Sequence, residues 1–202
     1  MSRGLGDVYK RQGFDYVFFS DSGSTSVEVA LKMAAGYWHN KGTPKKTIVA
    51  LENSYHGDTF GTMAAGSRSV YSAAYEPYLF DTIHLPFPEG DGQNTIAAFE
   101  KVLKNQSADI AAFICEPLVL GAGGMLMYSE ETLKGIYDLC RKYDVFFIAD
   151  EVMTGWGRTG SKFASEKAGF TPDILCSSKG LTNGFLPLCL LYTSDAADEG
   201  GS

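Results

Sequence analysis

The sequence predicts an α/β fold in which a mainly parallel sheet has helices on both faces. Short apolar strands alternate with amphipathic helices along the chain, as in α/β domains. Several strands are apolar without interruption, which is typical of parallel strands buried on both faces. Glycines and polar residues follow directly after these strands. Because ligands of open α/β sheets bind at the carboxyl ends of strands, we expect a functional site there.

Apolar runs bounded by glycine, proline or charged residues predict the strands. They cover residues 15–20, 47–51, 110–115, 145–149 and 173–177, and their lengths suit strands better than helices. A further run, residues 185–191, also begins as a strand.

Amphipathic helices are predicted between these strands. In the first helix, Thr25 and Glu28 have the spacing of a capping box. Its apolar face is formed by Val27, Ala30, Leu31, Ala34 and Trp38. The second helix covers residues 94–105, with Asn94 as its cap, and the third begins after Ser129, which is expected to cap it.

Composition restricts the class of protein. The chain has 202 residues and a formal net charge of −7, which argues against a nucleic-acid-binding protein, since that needs a basic face. No apolar run approaches the roughly 20 residues that span a bilayer. The cysteines show no CxxC pairing or metal-ligand spacing, which predicts buried free thiols and a cytoplasmic location; they are Cys115, Cys140, Cys176 and Cys189.

Both ends of the chain differ from the rest. Residues 1–12 and 192–202 are polar and without hydrophobic periodicity. We therefore expect both segments to be non-native and residues 13–191 to form one incomplete domain.

Candidate catalytic residues follow the last two predicted strands. Lys179 stands in a run of small residues after residues 173–177, and Asp150 comes directly after residues 145–149. A carboxylate at the end of a buried strand needs a hydrogen-bonded or charged partner. Each residue also has a structural interpretation: Lys179 as a loop lysine, Asp150 as a helix cap or as the partner of Arg158.

Two further motifs follow earlier strands. Gly23 and Ser24 lie where a strand turns into a helix, a position that suits an anion but equally an ordinary helix cap. In Tyr55-His56-Gly57-Asp58, the tyrosine is suited to stacking on a planar ring, whereas a lone histidine is more often structural. Together the motifs provide what pyridoxal phosphate needs from a protein: a lysine, an acid for the ring nitrogen, a phosphate cradle and packing on both ring faces.

With these motifs the sequence resembles the class III aminotransferases, which are fold-type-I pyridoxal-phosphate enzymes. The resemblance extends over residues 15–191 and rests on the motifs at residues 22–28, 55–59, 116–117, 121–124, 150–160 and 172–180. It implies the large, cofactor-binding domain of such an enzyme. It also implies a homodimer in the full-length protein, with a small-molecule amino donor and a keto acceptor as substrates.

The resemblance assigns a role to each matching residue. Lys179 would attach the cofactor covalently and move the proton during transfer, and Asp150 would hold the ring nitrogen. The remaining cofactor-binding residues would be Gly23 and Ser24 at the phosphate, Tyr55 and Val152 at the ring, and His56 and Glu116 at its polar edge. Tyr55 and Asp58 would also contact the substrate.

Within the family, Asp58 and the run at residues 121–128 resemble the subgroup that serves biotin synthesis. This implies amino transfer from S-adenosylmethionine to 8-amino-7-oxononanoate. The alternatives are an ω-amino-acid, ornithine or 4-aminobutyrate aminotransferase, a glutamate-semialdehyde aminomutase, or a truncated chain without activity. A dinucleotide-binding domain is disfavoured because no GxGxxG motif follows the first strand.

Overall fold

The computed structural model describes residues 14–193, and a seven-stranded sheet lies at the centre of this part. Its strands are β1 (Tyr16–Ser20), β2 (Thr47–Leu51), β3 (Thr82–Leu85), β4 (Ile110–Cys115), β7 (Phe146–Asp150), β8 (Ile174–Ser177) and β9 (Cys189–Thr193). Their order in the sheet is β1-β9-β8-β7-β4-β2-β3. A separate two-stranded hairpin joins β5 (Val119–Leu120) to β6 (Leu126–Met127).

The strand directions bring most of the carboxyl ends to one edge of the sheet. Neighbouring strands are parallel from β3 through β2, β4 and β7 to β8. Strand β9 is antiparallel to both β8 and β1, so β1 runs in the same direction as β8. The predicted mainly parallel sheet is confirmed, and only β9 ends at the opposite edge.

Helices cover both faces of the sheet, as predicted. They are α1 (Gly23–Asn40), α2 (Phe60–Ala65), α3 (Gln93–Gln106), α4 (Glu130–Lys142) and α5 (Ala164–Lys167), with 3₁₀ turns at Ala73–Tyr78 and Ser107–Asp109. Helix α1 packs on the same face as Ile114, while α3 and α4 pack on the face of Phe113. Consecutive residues of β4 thus serve opposite cores, which explains why this strand is apolar throughout.

Two predicted helix caps are wrong. Helix α1 is capped by Ser22, whose side chain accepts a hydrogen bond from the N–H of Thr25 at 3.1 Å. The capping box is therefore Ser22–Thr25, and Glu28 bonds elsewhere. Helix α3 begins after Gly92 at φ +74°, and Asn94 bonds the preceding loop instead. Ser129 caps α4 as predicted, accepting from the N–H of Thr132 at 3.1 Å.

The predicted ends of the domain lie at or beyond the described residues. The boundary after residue 191 falls inside β9, where the Tyr192 ring packs 5.8 Å from that of Phe14. Residues 1–13 and 194–202 lie outside the described part of the chain. The non-native origin of the two end segments stays a prediction.

Two remaining expectations concern the cysteines and the membrane. All four thiols are buried and free, and burial raises the pKa of the Cys115 thiol. Among the helices of residues 14–193, none is long and apolar enough to cross a membrane.

Candidate active site

A pocket opens at the edge of the sheet where the carboxyl ends meet. It is lined by Gly23, Ser24, Tyr55, His56, Gly57, Glu116, Asp150, Val152, Met153 and Lys179. These residues follow β1, β2, β4, β7 and β8. Every predicted cofactor-binding residue therefore lies at this pocket. The sequence interpretation did not include Met153, whose sulfur lies 2.3 Å from where a side chain on Gly121 would begin.

Asp150 is the last residue of β7 and is 4% exposed. Its Oδ2 lies 2.7 Å from His56 Nδ1, and its Oδ1 accepts the N–H of Val152 at 3.2 Å. Arg158, the alternative partner, is exposed and lines a neighbouring pocket with Lys179. His56 is thus the hydrogen-bond partner that the buried Asp150 carboxylate requires.

His56 is buried, and its second ring nitrogen, Nε2, has no hydrogen-bond partner among the described residues. Because buried polar atoms are rarely left unpaired, this nitrogen is suited to a water molecule or a bound group. His56 lines the pocket that contains Asp150 and also a second pocket that contains Asp58.

Glu116 connects two loops of the pocket. Its Oε1 accepts the N–H of Tyr55 at 3.1 Å and its Oε2 that of Gly121 at 2.9 Å. Burial raises the pKa of this carboxyl, and the nearby His56 opposes the increase. The Glu116 side chain thus fixes the position of the Tyr55 backbone.

Tyr55 is partly exposed at the mouth of the pocket. Its hydroxyl donates to Asp58 Oδ2 at 2.9 Å. Burial, with the carboxylate of Asp58, raises the pKa of Tyr55 to about 12. Asp58 lines the adjacent pocket and not the one that contains Asp150 and Lys179, so the structure places it one side chain away from the predicted cofactor site.

The N-terminus of α1 points its first backbone donors at the pocket. The N–H of Thr25 bonds the Ser22 hydroxyl and that of Ser26 bonds the Ser22 carbonyl at 3.0 Å. This leaves the N–H groups of Gly23 and Ser24 to bind an anion, as is common at helix starts. A Cβ on Gly23 would lie 2.8 Å from Val152 Cγ1, so only glycine permits this close packing.

Lys179 lies in a turn two residues after β8 and is exposed. The turn is closed by the N–H of Asn183, which donates to the Lys179 carbonyl at 3.0 Å. A Cβ on the next residue, Gly180, would lie 2.5 Å from Trp156 Cβ, and the Trp156 indole N–H donates to Ser177. Packing thus fixes the backbone on both sides of the lysine, while its side chain stays accessible.

The sequence is similar to a known family and to known proteins over most of its length. Residues 3–198 match the family described as Aminotransferase class-III. The adenosylmethionine-8-amino-7-oxononanoate aminotransferase of Synechococcus elongatus is 50% identical over 188 residues, which are 89% of this chain and 44% of that protein. The enzyme of the same name from Anoxybacillus flavithermus is 42% identical over 91% of this chain and 43% of its own length.

Solved structures show the same relationship. An adenosylmethionine-8-amino-7-oxononanoate aminotransferase from Methanocaldococcus jannaschii superposes with a TM-score of 0.88 at 32% identity, over 96% of this chain and 46% of its own. An amine transaminase from an uncultivated Pseudomonas species, in a PLP-bound form, has a TM-score of 0.88 at 33% identity, over 97% and 47% of the two chains. The chain spans less than half the length of each of these relatives.

Proposed function

Because the chain belongs to the class III aminotransferases, a family that depends on pyridoxal 5′-phosphate, we propose that it forms the cofactor-binding part of an amino-transferring enzyme. The observation that best supports this is the single pocket that Asp150 and Lys179 share with the start of α1. A nucleophilic amine, a buried carboxylate and free helix N–H groups match the aldehyde, ring nitrogen and phosphate of the cofactor. When bound, pyridoxal phosphate acts as an electron sink for negative charge that develops on the substrate carbon.

The residues of the pocket divide this work. Lys179 Nζ would hold the cofactor and would accept or donate the proton that moves during transfer. Asp150, whose carboxylate His56 orients, would hold the ring nitrogen. Gly23 and Ser24 would bind the phosphate.

The other predicted residues would contact the cofactor ring or the substrate. Val152 and Tyr55 both line the pocket, and they would hold the flat ring of the cofactor by packing against it. Glu116 supports the polar edge by holding the Tyr55 backbone. Tyr55 and Asp58, joined by their hydrogen bond, face the substrate.

We further propose that the amino group passes from S-adenosylmethionine to 8-amino-7-oxononanoate, giving 7,8-diaminononanoate for biotin synthesis. The names of the relatives at 38–50% identity support this choice. The pairing of Asp58 with Tyr55 also favours it, because a carboxylate beside the substrate side of the pocket suits a cationic donor. Structures of an amine transaminase and an omega transaminase at about one-third identity make an ω-amino donor the second candidate. An assay that exchanges donors at constant acceptor separates the two.

The proposal extends to a cytoplasmic homodimer. Phe60, Tyr75 and Tyr78 form an exposed aromatic patch, with ring centroids 5.8–6.2 Å apart. Patches of this kind mark interaction surfaces. Sedimentation of the protein with and without cofactor tests it: a monomer at micromolar concentration in both states contradicts the dimer.

Cofactor binding is tested by mixing the protein with pyridoxal phosphate, reducing with borohydride and mapping the labelled peptide by mass spectrometry. We expect label on Lys179 and its loss in Lys179→Ala. The matched control, Lys167→Ala, changes a lysine that lies away from the pocket and should keep the label. Label spread over many lysines, or none, contradicts the proposed site.

A further inference from the structure

Glu28 bridges two helices beside the candidate active site. It stands on the second turn of α1, four residues after Ser24 and on the same face. Its Oε2 accepts hydrogen bonds from Thr59 Oγ1 at 2.5 Å and from the N–H of Thr62 at 3.2 Å. Both donors belong to the start of α2.

The start of α2 depends on this carboxylate. Thr59 is the N-cap residue of α2, but its hydroxyl makes no cap bond to the helix and donates to Glu28 instead. The N–H of Thr62, one of the first-turn groups that lack a partner within a helix, is satisfied from α1. Thr62 is fully buried, so removal of Glu28 would take away the acceptor that this N–H has in the structure.

The shape of α2 is matched to the same carboxylate. A Cβ on Gly61 would lie 2.5 Å from Glu28 Oε1 and 2.7 Å from Oε2. A side chain on Gly61 would therefore displace the Glu28 carboxylate from its present position.

A second contact holds the same segment one turn earlier. The N–H of Asp58 donates to Ser24 Oγ at 3.0 Å. Gly57 packs against Ser24, and a Cβ added to Gly57 would lie 2.8 Å from the Cα of Ser24. Helix α1 thus holds residues 57–62 at two points. Tyr55 and His56, which line the pocket, directly precede these contacts.

We propose that Glu28 is a positioning residue that fixes residues 55–62 against helix α1. Residues 55–57 of this segment line the pocket, as do Gly23 and Ser24 at the N-terminus of α1. The effect of Glu28 on cofactor binding rests on the proposed function, but its effect on the segment does not. Because Glu28 lies outside the pocket lining, it acts only through the residues that it holds.

The test compares Glu28→Ala and Glu28→Gln with the unmodified protein. Glutamine keeps an oxygen acceptor and so should preserve both contacts. Glu100→Ala is the matched control, since Glu100 lies on α3 and pairs only with Lys104 and Lys142 among the described residues. Hydrogen exchange followed by mass spectrometry reports on the segment, and half-saturation of the borohydride label at Lys179 reports on the cofactor.

We expect Glu28→Ala to speed amide exchange within residues 55–65 by about tenfold or more, as loss of a charge-assisted hydrogen bond implies. Exchange in β4 should not change, which separates a local effect from global unfolding. The pyridoxal phosphate concentration for half-labelling should rise by a similar factor, and Glu28→Gln should restore both values most of the way.

Unchanged exchange in residues 55–65 overturns the proposal, as does faster exchange without any change in half-saturation. If the unmodified protein takes no label at Lys179, the proposed function fails, whereas the exchange data still decide whether Glu28 holds the segment. Equal effects of Glu28→Ala and Glu100→Ala also overturn it.

Discussion

The Asp150 carboxylate illustrates how one residue depends on partners that are distant in sequence. It lies at the end of a buried strand and hydrogen-bonds His56, which is 94 residues away along the chain. Away from bulk water, a carboxylate charge stabilises an opposite charge much more strongly than it would in water. We therefore propose an electrostatic role for Asp150, in which an uncharged isostere would not replace it.

We predict that Asp150→Asn slows amino transfer by at least about a hundredfold, the range seen when a preorganised electrostatic contact is removed. Covalent attachment at Lys179 should persist, because the amine is unchanged. Single-turnover transfer and borohydride labelling measure the two effects. Asp138→Asn, on the exposed face of α4, serves as control, and a normal transfer rate in Asp150→Asn would refute the assigned role.

A second residue-level prediction concerns pH. Burial raises the pKa of Glu116 in the folded state, so the unfolded chain releases its proton first as pH increases. The folded state then loses stability between the ordinary glutamate pKa and the raised one. Glu116→Gln removes this titration.

We therefore expect the free energy of unfolding of the unmodified protein to fall relative to that of Glu116→Gln as pH rises from about 4 to 8. Urea titrations of both proteins across this range measure the difference. Glutamine keeps only one carbonyl acceptor for the Tyr55 and Gly121 N–H groups, so a constant offset is expected as well. A difference that is flat with pH contradicts the prediction.

At the scale of elements, α1 and the loop that follows β2 lie in close contact. Gly57 has φ +130° and packs directly on Ser24. Any side chain there is strained by the backbone conformation and also strikes Ser24 Oγ, 2.3 Å from the Cβ position. The loop can lie against α1 because glycine adopts this positive φ without strain and has no side chain to strike Ser24.

Gly57→Ala should lower the free energy of unfolding by about 2–3 kcal/mol, combining backbone strain with the clash. Gly42→Ala is the matched control: it has φ +76° but no atom within 4 Å of its Cβ position, and should cost only about 1 kcal/mol from strain. Thermal and urea unfolding compare the two. Equal costs would show that the contact with Ser24 contributes nothing.

For the whole molecule, the proposed cofactor site joins five separate strand ends, so a ligand bound there would link distant parts of the fold. A ligand that binds only the folded state stabilises it in proportion to its occupancy. With pyridoxal phosphate at a hundredfold excess over its dissociation constant, the free energy of unfolding should increase by about 2.7 kcal/mol.

Thermal unfolding at increasing cofactor concentration measures this linkage. Inorganic phosphate at the same concentration is the control for binding to the helix N-terminus alone, and should produce a smaller increase. Lys179→Ala should also reduce the effect, because the covalent contribution is lost. An unfolding temperature independent of pyridoxal phosphate would contradict binding to the folded chain.

Several elements were predictable from the sequence because local patterns specify them. The β2 and β4 ranges match exactly the predicted 47–51 and 110–115, since both strands are buried apolar runs. The apolar face of α1 also follows from its periodicity alone. Strand β3, with only two aliphatic residues in Thr82–Leu85, was not predicted, because its short sequence lacks a clear period.

The sequence alone indicated the family, most of the strands and the three longer helices, and most of the residues that gather at the pocket, because these depend on local pattern and motif. Only the tertiary structure decided how those residues pair. The Asp150–His56 bond, the connection of Glu116 to Tyr55, and the move of Glu28 from a predicted cap to a contact with α2 all join distant segments. Such contacts depend on strand order and helix packing, which no local pattern specifies.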